Sequence, residues 1–215
     1  MDKKSIQFRL KNENIDVLIQ YISFRKALLI LRSVNHDFRR KIIELLNDNA
    51  SMNVTQLYIK LRIEQSVVSQ HLTQMRKSEI LICNKQGKNI SYQINTQRLL
   101  QVLNFANALM KKPLQTQLNE YNFDCIDSAL HTLHVFENEI RLRIIQYIHN
   151  TSQTNVNGIY KALKMEQSST SQQLRILRIY RIVIEKKIGK EVIYTLNDAL
   201  INHLTQTVNS FLSNK

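Results

Sequence analysis

Glu64–Leu72 reads "EQSVVSQHL" and Glu166–Leu174 reads "EQSSTSQQL". The two strings lie 102 positions apart, and sliding the chain against itself by that offset extends the match without a gap. Phe38–Leu46 ("FRRKIIELL") falls on Ile140–Ile148 ("IRLRIIQYI"), and Asn53–Leu61 ("NVTQLYIKL") falls on Asn155–Leu163 ("NVNGIYKAL"). Ile82–Ile94 ("ICNKQGKNISYQI") falls on Ile184–Leu196 ("IEKKIGKEVIYTL"). Roughly a third of the aligned core positions are identical and most others keep their polarity, so one domain is present twice.

Each copy spells the same succession of elements. Ala27, Leu28, Leu31 and Val34, matched by Ala129, Leu130, Leu133 and Phe136, form an opening helical stripe. A second helix carries Phe38, Ile42, Leu45 and Leu46, or Ile140, Ile144, Tyr147 and Ile148. A third begins at Asn53 or Asn155, a residue type suited to capping, and buries Val54, Leu57, Tyr58 and Leu61 or their partners. The fourth contains the opening strings and turns Val68, Leu72 and Met75, or Thr170, Leu174 and Leu177, inward. A hairpin follows, with Ile90, Tyr92 and Ile94 or Val192, Tyr194 and Leu196 alternating, and Gly87 or Gly189 in its turn.

A last helix starts at Asn95 or Asn197 and carries Leu99, Val102, Ala106, Leu109 and Met110, or Ile201, Leu204, Val208, Phe211 and Leu212. Lys111–Phe123, which holds the only proline (Pro113), reads as the linker between domains over residues 1–110 and 124–215. Ile15, Leu18 and Ile22 have helical spacing and suggest a helix leading into the first copy.

Only 3 glycines and 1 proline in 215 residues argue for a mainly helical chain. No apolar run has the length of a membrane span and the N-terminus lacks a signal peptide's apolar core, so a cytoplasmic, membrane-free protein is expected. Cys83 and Cys125 are far apart and outside metal-ligand spacing, which reads as reduced thiols. A net charge of +13 favours a polyanionic partner. Gly-rich phosphate loops, nucleophile strings and paired-carboxylate motifs are absent from the sequence, so an enzyme is not expected.

Three helices and a two-stranded hairpin are the parts of a winged helix-turn-helix. "FRRKIIELL", "IRLRIIQYI", "EQSVVSQHLTQMRKSEIL" and "EQSSTSQQLRILRIYRIV" resemble the ArsR/SmtB-type bacterial repressors, once in each half. The resemblance covers about Ala27–Met110 and Ala129–Leu212, and its most specific part is Gln-Ser-x-x-Ser-x-x-Leu together with Arg39 or Arg141. It implies a DNA-binding regulator, a repressor in most relatives, that pairs through its first and last helices. Two copies in one chain then imply an intrachain pseudo-dimer of tandem winged helices; a homodimer of the whole chain stays open. The family's glycine after the recognition helix is replaced by Glu79 and Arg181. Its cysteine-rich motif is missing from the third helix and His203 stands alone in the last, so neither metal nor cofactor is expected. No small-molecule effector is legible.

A helix entering the major groove needs short polar side chains at its start and amide or basic groups facing the duplex. Gln65, Ser66, Val67, Ser69, Gln70, His71 and Thr73 form that set in the first copy, and Gln167, Ser168, Ser169, Ser171, Gln172, Gln173 and Arg175 in the second. Glutamine can pair bidentately with adenine, and serine hydroxyls and helix N-termini can hold phosphate. Lys85 and Lys88 in one hairpin, and Lys186, Lys187 and Lys190 in the other, would reach the backbone of double-stranded DNA. Because the two reading faces differ, an imperfect palindrome is expected. The competing function is a winged-helix protein-interaction module without specific DNA binding.

Overall fold

The structure is a computed structural model that describes residues 7–8, 19–87, 89–115 and 121–213. A short antiparallel pair, β1 (Gln7–Phe8) and β2 (Ile19–Gln20), precedes the repeat. Ile15 and Leu18, expected in a leading helix, lie outside the described residues, and the first described helix starts at Tyr21.

The first copy runs α1 (Tyr21–Arg32), α2 (Asp37–Asn49), β3 (Met52–Asn53), α3 (Val54–Leu61), α4 (Gln65–Lys77), β4 (Leu81–Gln86), β5 (Asn89–Ile94) and α5 (Thr96–Leu109). The second repeats it as α6 (Asp124–His134), α7 (Glu139–Thr151), β6 (Thr154–Asn155), α8 (Val156–Leu163), α9 (Gln167–Ile179), β7 (Val183–Ile188), β8 (Glu191–Leu196) and α10 (Asp198–Ser213). A 3-10 turn at Val135–Glu137 joins α6 to α7. Each wing is three-stranded, in the order β3-β5-β4 and β6-β8-β7. The extra strand is two residues long, too short for alternation to announce it in the sequence.

The expected stripes form most of the core. Ala27, Leu28, Leu31 and Val34 are buried, as are Ala129, Leu130, Leu133 and Phe136. Val68, Leu72 and Met75 of α4, and Thr170, Leu174 and Leu177 of α9, are buried as expected. The buried Thr170 hydroxyl is satisfied by donating to the Glu166 carbonyl at 3.0 Å. The second helices depart from expectation. Phe38 is half-buried and Ile140 exposed, while Arg39 and Arg141 sit in the core beside Ile42, Ile43 and Leu46 or Ile144, Ile145 and Ile148. The hairpin tips carry exposed Ile90 and Val192, so only the base of each wing is core-facing.

The described residues divide into two compact units, Leu28–Leu130 and His131–Lys215 joined by the chain up to Ala27, with the divisions inside α1 and α6. Within the first, the Asn35 amide donates to Asp127 Oδ1 at 2.7 Å and the Arg40 guanidinium lies 5.3 Å from the Phe123 ring centre. Gln115 N–H donates to Asn104 Oδ1 at 2.7 Å, which fastens the start of the linker to α5. Within the second, the Phe24 and Phe136 rings lie 4.8 Å apart.

The backbone repeats more faithfully than the side chains. Ala50 and Ser152, Arg62 and Lys164, and Glu79 and Arg181 are equivalent pairs, and all six adopt positive φ between 53° and 62°. Glu79 and Arg181 thus take, without glycine, the left-handed turn after α4 or α9 that glycine adopts freely. The caps have diverged instead. Asn53 and Gln56 form a reciprocal capping box at α3, with both bonds at 2.8 Å. Asn155 still accepts from Gly158 N–H, but Gly158 has no side chain to return the bond. A Cβ at Gly158 would stand 2.5 Å from the Thr154 hydroxyl oxygen.

Candidate nucleic-acid interface

α4 and α9 are oriented by their apolar faces, which close onto the rest of each winged helix and leave the opposite faces to solvent. Gln65, Ser66, Gln70 and Thr73 are exposed on α4, whereas Val67, Ser69 and His71 are half-buried. On α9, Gln167, Ser168, Ser171, Gln172 and Arg175 are exposed, and Ser169 and Gln173 are half-buried. Glu64 and Glu166 occupy the N-cap positions without a side-chain cap bond, so no capping side chain covers the first-turn N–H groups. Ser69 and Thr73 direct their hydroxyl protons into the helix, onto Gln65 O and Ser69 O at 2.8 Å each. Their oxygens remain acceptors, which suits base amino groups better than phosphate.

Lys85 lies exposed on β4; Lys186 and Lys187 on β7 and Lys190 in the following turn are exposed as well. Lys88 lies outside the described residues. The head of α4 borders an open groove of about 830 Å³ that includes Phe38, Ile59, Ile63 and Val67.

Two features lie beyond the residues expected to contact bases and phosphates. The first is the arginine that reaches from α2 or α7 to the middle of the recognition helix. Arg39 donates to Arg32 O at 2.7 Å and Gln74 Oε1 at 3.0 Å, and its NH1 lies 3.3 Å from His71 Nδ1. Arg141 donates to Val135 O at 2.7 Å, His134 O at 3.0 Å and Gln173 Oε1 at 3.3 Å. Burial lowers the pKa of both guanidinium groups, yet an arginine stays charged. A signal for this arrangement exists in the sequence: Arg39, Ile42, Ile43 and Leu46 occupy i, i+3, i+4 and i+7, so each arginine stands within an apolar stripe.

The second is confined to the second copy. Arg178 of α9 donates to both carboxylate oxygens of Glu185 on β7, at 2.7 and 2.8 Å. That pairing raises the Arg178 pKa. In the first copy Cys83 and Arg76 occupy the positions equivalent to Glu185 and Arg178, and a thiol cannot replace a carboxylate as the acceptor. Both cysteines are free thiols of intermediate exposure. Among the described residues, no group of three or more His, Cys, Asp or Glu side chains is placed to hold a metal ion, and no helix is long and apolar enough to cross a membrane.

A family model described as "Bacterial regulatory protein, arsR family" matches residues 37–82 and 138–185, which span α2 to β4 and α7 to β7. The transcriptional repressor PagR of Bacillus anthracis is 35% identical over 95 residues, covering 44% of this chain and 95% of that protein. The HTH-type transcriptional regulator NmtR of Mycobacterium tuberculosis is 33% identical over 73 residues, covering 34% of this chain and 60% of that protein. The crystal structure of PagR is 39% identical where it aligns, covering 35% of this chain and 86% of that one, with a TM-score of 0.31.

Proposed function

The chain belongs to the arsR family of bacterial regulatory proteins, and on that premise we propose a repressor that applies both of its helix-turn-helix units to one duplex. Membership makes it a DNA-binding transcriptional regulator, which supports reading it as no enzyme. The finer reading rests chiefly on one observation: α4 and α9 both begin with uncapped turns and exposed Gln-Ser pairs, Gln65–Ser66 and Gln167–Ser168. Gln70 and Gln172 stand exposed one turn further on, where a side-chain amide can pair with adenine. Lys85, Lys88, Lys186, Lys187 and Lys190 supply the phosphate contacts from the wings. PagR is named a repressor, whereas HlyU of Vibrio cholerae is named an activator, and the repressor reading follows PagR as the more similar of the two.

The winged-helix domains over 1–110 and 124–215 each read one half-site. The half-sites are unequal, because Val67 corresponds to Ser169 and Thr73 to Arg175 in the repeat. Selection of bound sequences from random duplexes, followed by footprinting, tests this. An imperfect palindrome protected by one chain per site is expected, whereas a perfectly symmetric operator overturns the unequal halves. Absence of duplex protection overturns the DNA reading and leaves the protein-interaction module. Changing Lys85, Lys186, Lys187 and Lys190 to alanine should flatten the dependence of log K on log salt by up to about 0.9 for each phosphate no longer neutralised.

A further inference from the structure

His71 and Gln173 are equivalent positions on the two recognition helices, and each receives the same arginine nitrogen at 3.3 Å. Their side chains are therefore drawn toward the second helix of their copy, away from the solvent that the neighbouring Gln70 and Gln172 face. The acceptor differs chemically. A glutamine oxygen accepts at every pH, whereas His71 Nδ1 accepts only while the ring is neutral. The surroundings of His71 oppose its protonation. His36, at the start of α2, lies with its ring centre 4.5 Å away, Phe38 lies at 5.8 Å, and Arg39 is cationic.

We propose that Arg39 and Arg141 are positioning residues for DNA recognition and that His71 makes the hold on the first recognition helix, but not on the second, release in acid. Protonation of His71 removes the acceptor and sets an imidazolium against the Arg39 guanidinium, so the centre of α4 loses one of its ties to α2. Gln74 Oε1 remains as the second acceptor of Arg39, so the helix is loosened rather than lost. Burial lowers the pKa of His71, and His36 and Arg39 add to the shift. α3 and β4, which also pack against α4, carry Lys60 and Lys85, both exposed to solvent. The sign follows: the folded protein binds fewer protons at this site than the unfolded chain. The contribution is present above the ordinary histidine value of about 6.5 and is lost as pH falls below it through the depressed folded value.

Acid strengthens most basic DNA-binding surfaces, because protonated histidines add positive charge, so the opposite trend is diagnostic. The inference rests on the DNA reading proposed above, and the experiment separates the two. Affinity for a selected duplex is measured at pH 7.5 and 5.5 at constant salt, with footprints at both. The expected result is a weakening of about two- to fivefold, the most that protonation of a group titrating below the ordinary histidine value can give at pH 5.5, with protection fading over one half-site only. In His71→Gln, which has no group to titrate at this site, the ratio between the two pH values falls to about one.

Unchanged or tighter binding in acid overturns the inference, as does an equal weakening in His71→Gln. The second arm needs no DNA. Nitrogen NMR of the free protein is expected to show His71 as the Nε2–H tautomer, titrating below the ordinary histidine range. An Nδ1–H tautomer, or titration at or above that range, overturns the inference. A chain that binds no duplex at all fails the DNA reading, and the NMR arm still decides the Arg39–His71 contact.

Discussion

Arg39 and Arg141 occupy equivalent places in the two copies and keep different company. Arg141 uses three nitrogens on Val135 O, His134 O and Gln173 Oε1, all acceptors that do not titrate. Arg39 reaches the carbonyls of Arg32 and Asn35 through one nitrogen, leaves its Nε without a partner, and directs NH1 to His71 and Gln74. The difference traces to the corner between the first two helices, where the 3-10 turn at Val135–Glu137 brings a carbonyl within reach of Arg141. Identical residues at identical places thus end in a closed corner in one copy and an open one in the other. Divergence after duplication has acted on the supports of α4 and α9 as well as on their outer faces.

The largest effect expected from breaking this comparison is on stability. Arg141→Met and Arg39→Met each remove the guanidinium donor that the corner carbonyls share and should cost about 3 kcal/mol, read from urea unfolding midpoints. A cost below about 1 kcal/mol at either site would mean that the arginine does not hold its corner. A smaller effect concerns the clamp that only the second copy has. Glu185→Gln releases Arg178 from its fork and should steepen the salt dependence of DNA binding by about one unit of slope, whereas Cys83→Glu should flatten it by a similar amount. Equal slopes in both variants would place Arg178 and Arg76 away from phosphate. The smallest effect sharpens what the copies share. Glu79→Gly and Arg181→Gly relieve a left-handed residue at a cost of about 1–2 kcal/mol, offset by about 0.5–1 kcal/mol of glycine entropy. Each should therefore stabilise by about 0.5 kcal/mol in thermal unfolding, and a loss would show that side-chain contacts hold the turn.

Much of this architecture is legible in the sequence because periodicity and offset reinforce one another. Leu72 and Leu174, or Val102 and Leu204, are buried in both copies, so the repeat checks each helical stripe against its twin. The caps at Asn53, Asn155 and Asn95 are legible from residue type. The role of His71 is not. Its place on the outer face of α4 suggests a base contact, and only the side-chain geometry shows it turned toward Arg39. Phe38 and Ile140 read as core because they are apolar, but the register of α2 and α7 gives the buried place to the arginine that follows. The β3 and β6 strands are illegible because two residues carry no pattern.

The missing capping box of the second copy has a consequence for history. Met52 and Gln56 in the first copy correspond to Thr154 and Gly158 in the second, and Met52 is buried where Thr154 is half-exposed. A glutamine restored at position 158 alone would drive its Cβ against the Thr154 hydroxyl oxygen, 2.5 Å away. The threonine must turn or change before the box can return, so the path back requires coordinated steps at two positions. A homodimer's gene writes both halves of its complex at once, and no such local history can build up in one half. Here each half keeps its own record, and a short tract copied from the first repeat into the second would arrive among neighbours that no longer fit it.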